Sequence, residues 1–219
     1  MLAIVKSMSL HGLDGYLVHV QVDVSSGLPS WETVGLPDMS IRESKERVRT
    51  AIKNSGIEFP SRKIVVNLAP ADSRKEGAFF DLPIAIGILI ATENIQCQEI
   101  QTYAFIGELS LDGTINRVNG ILPMCIEAKK LGIKKIVLPK ENSKEASVVR
   151  GVEIIPADML IHVIQHLNGE NIIQSIDTEN LEISNHSEKE IFDFSDVRGQ
   201  ENIKRALEVS AARAVIIAY

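Results

Sequence analysis

Hydrophobic and polar positions alternate through the first two dozen residues. Ala3 and Val5, then Val18, Val20, Val22 and Val24 set against Leu17, His19 and Gln21, repeat at every second position. That is the period of a half-buried β-strand. The break at HGLDG (11–15) predicts an antiparallel pair, and the GLPS turn (27–30) leads into a short strand over 31–34. The period then lengthens. Ile41, Val48 and Ile52, with Ala51 beside them, recur at helical intervals, and Gly56 stops the helix. Ser40 and Glu43 have capping-box spacing at its start.

Further on, KIVVNL (63–68) predicts a compact strand, followed by the turn-rich loop APADSRKEG (69–77). Residues 82–91 are apolar nearly all round, so this helix is expected to be buried. Asp81 is expected to cap it through its carboxylate, with Pro83 in the first turn where its missing N–H costs nothing. Beyond it the pattern predicts a strand over 103–109, a turn at 111–114, a helix over 122–131 closed by Gly132, and a strand over 135–138. A helix over 143–149, a strand over 152–155 and a helix over 158–167 closed by Gly169 complete the series. Early antiparallel strands followed by strand–helix alternation define a mixed α/β (α+β) domain over 1–168. Residues 169–191 read as an acidic linker. From 192 a new element begins, in which Gly199-Gln200 opens a helix with a stripe of Ile203, Ala206, Leu207, Ser210 and Ala211.

Charge sharpens this division. Eight acids against Lys189 between positions 170 and 196 give that stretch −7, so the rest of a chain of net charge −6 sums to +1. A body near neutrality lacks the footprint expected of a nucleic-acid binder. The basic residues Arg42, Lys45, Arg47, Arg49 and Lys53, followed by Arg62 and Lys63, therefore read as a solvated face. Glu43 and Glu46 offset part of this charge, and Glu43 stands at i,i+4 from Arg47. Weak or no DNA binding is the expectation. The longest apolar runs are too short to span a membrane, and no signal-peptide pattern opens the chain, so it reads as cytoplasmic. Cys97 and Cys125 form no metal or disulfide motif. His162 and His166, four apart, lack an H-E-x-x-H context and read as helix-surface residues.

KEGAFFDLPIAIG (75–87) has the layout of a catalytic turn, a charged glycine loop running into an apolar helix. The longer block around it, VNLAPADSRKEGAFFDLPIAIGIL (66–89), together with VGLPDMSIRESKERVRTAIKNSGIEFP (34–60) and FIGELSLDGTINRVNGILP (105–123), resembles the magnesium-chelatase-like AAA+ proteins of the ComM/YifB type over residues 1–168. DFSDVRGQENIKRALEVSAA (193–212) resembles the entry to that family's ATPase module. The resemblance implies a Lon-protease-domain-like, ribosomal-protein-like N-terminal fold. It also implies ATP and Mg²⁺ in full-length members, hexameric rings and ATP-driven DNA remodelling linked to natural transformation. Lon-type proteases use a Ser–Lys dyad. Carried onto this sequence, the serine position falls on Phe79 and the lysine position on Leu122. Neither side chain can attack a carbonyl or take up a proton. Substitute pairs, Ser73 with Lys75 or Ser44 with Lys45, have nothing in the sequence to pre-position them. No catalytic residue is assigned, and Phe79→Ser is expected to lower stability without creating a protease.

A P-loop needs G-x-x-x-x-G-K-[ST], and these 219 residues contain none. Val197, Gly199 and Gln200 match the adenine-proximal stretch of related modules, too little alone to bind nucleotide. The closing RAVIIAY departs from the family and reads as a truncated gene, a frameshift or a fragment. The expectation is a non-catalytic, monomeric N-terminal domain without cofactor or metal, with DNA and self-association belonging to full-length members. A cryptic hydrolase on the Lon-like scaffold and a non-functional truncated product are the alternatives.

Overall fold

The computed structural model describes residues 1–176 and 199–213. By its internal contacts the chain divides into two units, Met1–Leu181 and Glu182–Tyr219. In the first, the alternating segments form a long antiparallel pair, β1 (Leu2–His11) and β2 (Asp14–Ser25), in register from Leu2 opposite Asp23 to His11 opposite Asp14. β3 (Ser30–Val34) lies parallel to β4 (Lys63–Ala69), and β4 is antiparallel to β2. On the other side of β1, the parallel strands β5 (Tyr103–Phe105), β8 (Lys135–Pro139) and β9 (Glu153–Ala157) complete a seven-stranded sheet of order β3-β4-β2-β1-β5-β8-β9.

The pleat sends alternate residues of the parallel strands into different layers. Tyr103, Phe105, Val137, Ile155 and Ala157 join one apolar cluster, which also holds the inner faces of α1 (Met39–Asn54), α2 (Asp81–Ala91) and α5 (Leu160–Leu167). Ala104, Ile136, Leu138 and Ile154 join a second cluster with α3 (Ile121–Lys130) and the short α4 (Ser143–Ala146). α2, apolar on all sides, is buried along nearly its whole length over β1 and β2. In the second unit the described element is α6 (Glu201–Arg213), preceded by Gly199 and Gln200, both in the left-handed region.

Four local expectations are corrected. α1 is capped by Asp38, whose Oδ1 accepts from Ile41 N at 2.8 Å; Ser40 lies inside the helix. The stretch 103–109 is not one strand. The chain leaves the sheet after Phe105, and β6 (Glu108–Leu109) pairs antiparallel with β7 (Ile115–Asn116) in a separate ribbon. The change of direction occurs at Gly107, whose N–H donates to Phe79 O at 2.9 Å while its carbonyl accepts from Leu82 N at 3.0 Å. The helix expected over 143–149 ends at Ala146. Asp81, finally, does not cap α2; it belongs to the site described next. Most of the acidic linker, together with Val197, lies outside the described residues. Residues 170–176, assigned above to that linker, fold back onto the body, where Ile176 N donates to Ile154 O at 2.9 Å.

Candidate functional site

The glycine loop between β4 and α2 is tied to the start of α1. Lys75 N donates to Leu36 O (3.1 Å), Asp38 N donates to Lys75 O (3.0 Å), and Gly77 N donates to Asp38 Oδ2 (3.0 Å). Asp38 thus caps α1 with one oxygen and holds the loop with the other. Gly77 has φ +97°, and a Cβ there would lie 2.7 Å from the Phe79 ring, so only glycine fits. A single 3₁₀ turn, Ala78–Phe80, then feeds α2.

This turn presents Phe79 and Phe80, with ring centroids 4.6 Å apart. Phe80 is fully buried in the first cluster, whereas Phe79 is half-buried and packs against both. Leu122, in the first turn of α3, is half-buried against the second cluster, and its N–H donates to Glu145 Oε1 at 3.1 Å. Phe79 and Leu122, onto which the resemblance carries a Ser–Lys dyad, thus both pack on the second apolar cluster as hydrocarbon side chains. Beside Phe79 lies a cleft of about 260 Å³ lined by Gly77, Ala78, Glu108, Arg117, Val118 and Asn119, none of which carries a hydroxyl or thiol nucleophile.

Asp81 is 0 % exposed and receives Arg47 Nε at 2.6 Å, Arg47 Nη2 at 3.0 Å and Leu109 N at 3.2 Å. Arg47 Nη2 also donates to Ser40 O at 2.9 Å. The guanidinium therefore joins α1, α2 and β6 through one buried carboxylate, and Glu43 is not its hydrogen-bond partner as the helical spacing had suggested. Burial pushes the Asp81 carboxyl up to about 6 against the opposing pull of Arg47. Arg47 in turn is held above its ordinary value chiefly by its hydrogen bond to Asp81.

The substitute pairs fare differently. Lys75 is fully buried, desolvation lowers its pKa, and its Nζ donates to the Ser73 carbonyl at 2.7 Å. Ser73 Oγ is enclosed and has no hydrogen-bond partner among the described residues. A desolvated lysine stands near a serine, but the amine is engaged by the backbone and the hydroxyl is shut away from any substrate carbonyl. Ser44 is buried on α1 while Lys45 lines an outer groove, as adjacent helical positions point apart. The Cys125 thiol is pushed up to about 12 by burial and is no thiolate at neutral pH. Of the two histidines four apart, His162 pairs with Asp158 at 2.7 Å on the surface, but His166 is buried, not a surface residue, with Nδ1 accepting from Ile173 N at 3.1 Å. No group of three or more His, Cys, Asp or Glu able to hold a metal occurs among the described residues. No helix among them is long and apolar enough to cross a membrane.

The basic face of α1, expected to be solvated, borders a groove. Trp31 and Phe59 stack there with centroids 6.3 Å apart and planes within 17°, and the Arg49 guanidinium lies 5.8 Å from the Phe59 ring centroid. Sequence reading found the charges but missed the rings, because Trp31 and Phe59 come from different elements. Of the adenine-proximal residues, Gly199 and Gln200 precede α6, where Gln200 O accepts from Ile203 N and Lys204 N.

A mixed sheet between helical layers, with a glycine loop entering a buried helix, defines an α/β domain in which positions 79 and 122 carry apolar side chains. Residues 20–142 match the family model of subunit ChlI of Mg-chelatase. The chain belongs to that magnesium-chelatase-like family, and within it to the ComM/YifB type. It is 39 % identical over 213 residues to competence protein ComM of Haemophilus influenzae, covering 96 % of this chain and 42 % of that protein. With YifB of Escherichia coli K12 the identity is 39 % over 211 residues, covering 96 % and 41 %. Lon protease 2 of Bacillus subtilis is 27 % identical over 182 residues, covering 75 % of this chain and 32 % of that protein. The chain spans about two fifths of the length of its ComM and YifB relatives.

Proposed function

We propose that this chain is the catalytically silent, Lon-like N-terminal domain of a ComM/YifB-type protein, serving substrate engagement or assembly for an ATP-driven motor that remodels DNA. The observation that carries the reading is the pair Phe79 and Leu122, hydrocarbon side chains that pack on one apolar cluster at the dyad positions. ATP and Mg²⁺ belong, in this reading, to the longer family members. The 219 residues hold no Walker loop to cradle phosphate, and the described part of the second unit is a single helix, so no nucleotide step is assigned to them. DNA and further copies of the protein are the proposed partners of the full-length assembly.

A hydrolase reading has one observation in its favour, the desolvated Lys75 beside Ser73. Both readings are tested by incubating the purified chain with casein and a fluorogenic peptide. The expected result is no cleavage by the native chain and none by Phe79→Ser, which instead unfolds at lower denaturant because a half-buried ring is lost. Cleavage that Ser73→Ala abolishes would establish the hydrolase and remove the silent-domain reading.

A further inference from the structure

Lys45, Arg49 and Lys53 follow one another at every fourth position of α1, so they form one stripe along the helix. Across from them stand Trp31, carried by β3, and Phe59, in the segment after α1. Arg62 completes the rim. These residues line a groove of about 380 Å³, within the size range of ligand sites, in which the carboxylate among the described lining residues is Glu58. Lys45 pairs only with its neighbour Glu46, at 3.8 Å and on the surface, and Arg49, Lys53 and Arg62 make no salt bridge among the described residues. The groove thus concentrates positive charge that a body near neutrality conceals. It also sets two half-buried aromatic rings among those cations.

Cations alone would suit any polyanion. Rings among them select a polyanion whose repeating unit carries both a negative charge and a flat face, and only a strand with unpaired bases offers both. An acidic polypeptide would satisfy the lysines and arginines but leave the rings without partners. A duplex would present phosphates while keeping its base faces stacked away. We propose that this groove binds single-stranded nucleic acid, with Trp31 and Phe59 as the stacking platform and Lys45, Arg49, Lys53 and Arg62 as phosphate contacts. This replaces the expectation of a merely solvated face. It deepens the engagement role proposed above and rests on that reading for its place beside a motor, but strand binding and peptide hydrolysis are measured separately, so either can fail alone.

Trp31 is the sole tryptophan of the chain, so its fluorescence reports from the platform itself. The 219-residue chain is titrated with an oligothymidine of about 16 nucleotides, the upper end of single-strand site sizes. Duplex DNA of the same length and poly-glutamate are titrated in parallel. The expected result is saturable quenching by the single strand, with the same midpoint from the anisotropy of a labelled oligonucleotide. With three to four phosphate contacts, the logarithm of the binding constant should fall against the logarithm of salt with a slope of about −2 to −3. Lys45→Glu with Lys53→Glu should weaken binding at least tenfold and make that slope shallower by about 1.4. Arg62→Glu, outside the helix, should weaken binding without touching α1. The proposal is overturned by absence of quenching and anisotropy change at low salt, by affinity that the charge reversals leave intact, or by duplex binding as tightly as the single strand. Equal quenching by poly-glutamate would overturn it too, and would assign the groove to acidic polypeptides.

Discussion

At Asp81 two effects oppose each other. Burial disfavours the carboxylate, while Arg47 meets it with two hydrogen bonds, and burial holds the pKa up at about 6 even with the guanidinium in place. In the unfolded chain the same group titrates near 3.8. Between these values the native state holds more protons than the unfolded state, so this group's contribution to stability declines as pH rises through that window. Arg47→Met removes the counterion and leaves the carboxylate enclosed, which pushes its pKa higher and widens the window. The substitution is expected to cost about 3 kcal/mol at alkaline pH, in line with other buried pairs broken on one side. Much of that loss should return in mild acid, where Asp81 takes up a proton. Urea unfolding at both pH values measures it, and adding Asp81→Asn should abolish the pH dependence. An equal loss at both, or a larger one in acid, would refute the assignment.

α2 shows a different balance at the scale of an element. An apolar helix lying over β1 and β2 must approach the sheet closely, and it does so at Gly87. A Cβ there would lie 2.6 Å from Val22 Cγ2 and 3.3 Å from Val22 Cβ. Alanine gains roughly 1 kcal/mol over glycine in a helix, whereas overpacking a core typically costs about 1–3 kcal/mol. Val22 is β-branched and fixed in a central strand, so the steric loss should win. Gly87→Ala is expected to lower the unfolding midpoint, and Val22→Ala in the same chain should restore part of it; a stabilised Gly87→Ala variant would show that the helix can move away from the sheet. Elements like these were legible because burial on one face or all faces writes itself into spacing, as in the valines of β2 and the unbroken apolar run of α2. Caps and strand ends were less legible where the deciding partner is distant. Asp38 prevails over Ser40 because its second oxygen also holds Gly77, and β5 ends where Gly107 turns to bond Phe79 and Leu82. That Phe79 and Leu122 offer neither nucleophile nor base could be read from residue type alone, since neither phenylalanine nor leucine can perform that chemistry. Arg47 with Asp81, and Trp31 with Phe59, could not be, because only the fold brings each pair together.

At the scale of the whole molecule, the first unit is closed by the segment that leaves α5. After Leu167 the chain turns back, Ile173 packs against the first cluster, and Ile176 pairs with β9 and packs against the second. His166 holds this return. Its Nδ1 accepts from Ile173 N, which places the proton of the neutral ring on Nε2, 3.4 Å from Tyr103 O–H. Lys135 Nζ lies 3.4 Å from that same hydroxyl and pairs with Glu99 at 3.3 Å, while Glu153 favours the charged ring and so opposes Lys135. Desolvation, reinforced by Lys135, lowers the His166 pKa below its ordinary 6.5. The neutral ring therefore contributes stability that is fully present above 6.5 and lost as pH falls through the depressed value. A proton added at Nδ1 would point at the Ile173 N–H, so the loss should begin at this strap. Hydrogen exchange at about pH 7.5 and about pH 5.5, on either side of the ordinary histidine value and corrected for intrinsic rates, should show Ile173 and Ile176 losing protection in acid while β1 and β2 keep theirs. His166→Leu should exchange faster at Ile173 at both pH values and lose the pH response. Unchanged protection in the native chain, or an equal acid response in His166→Leu, would show that the strap is held by its isoleucines alone.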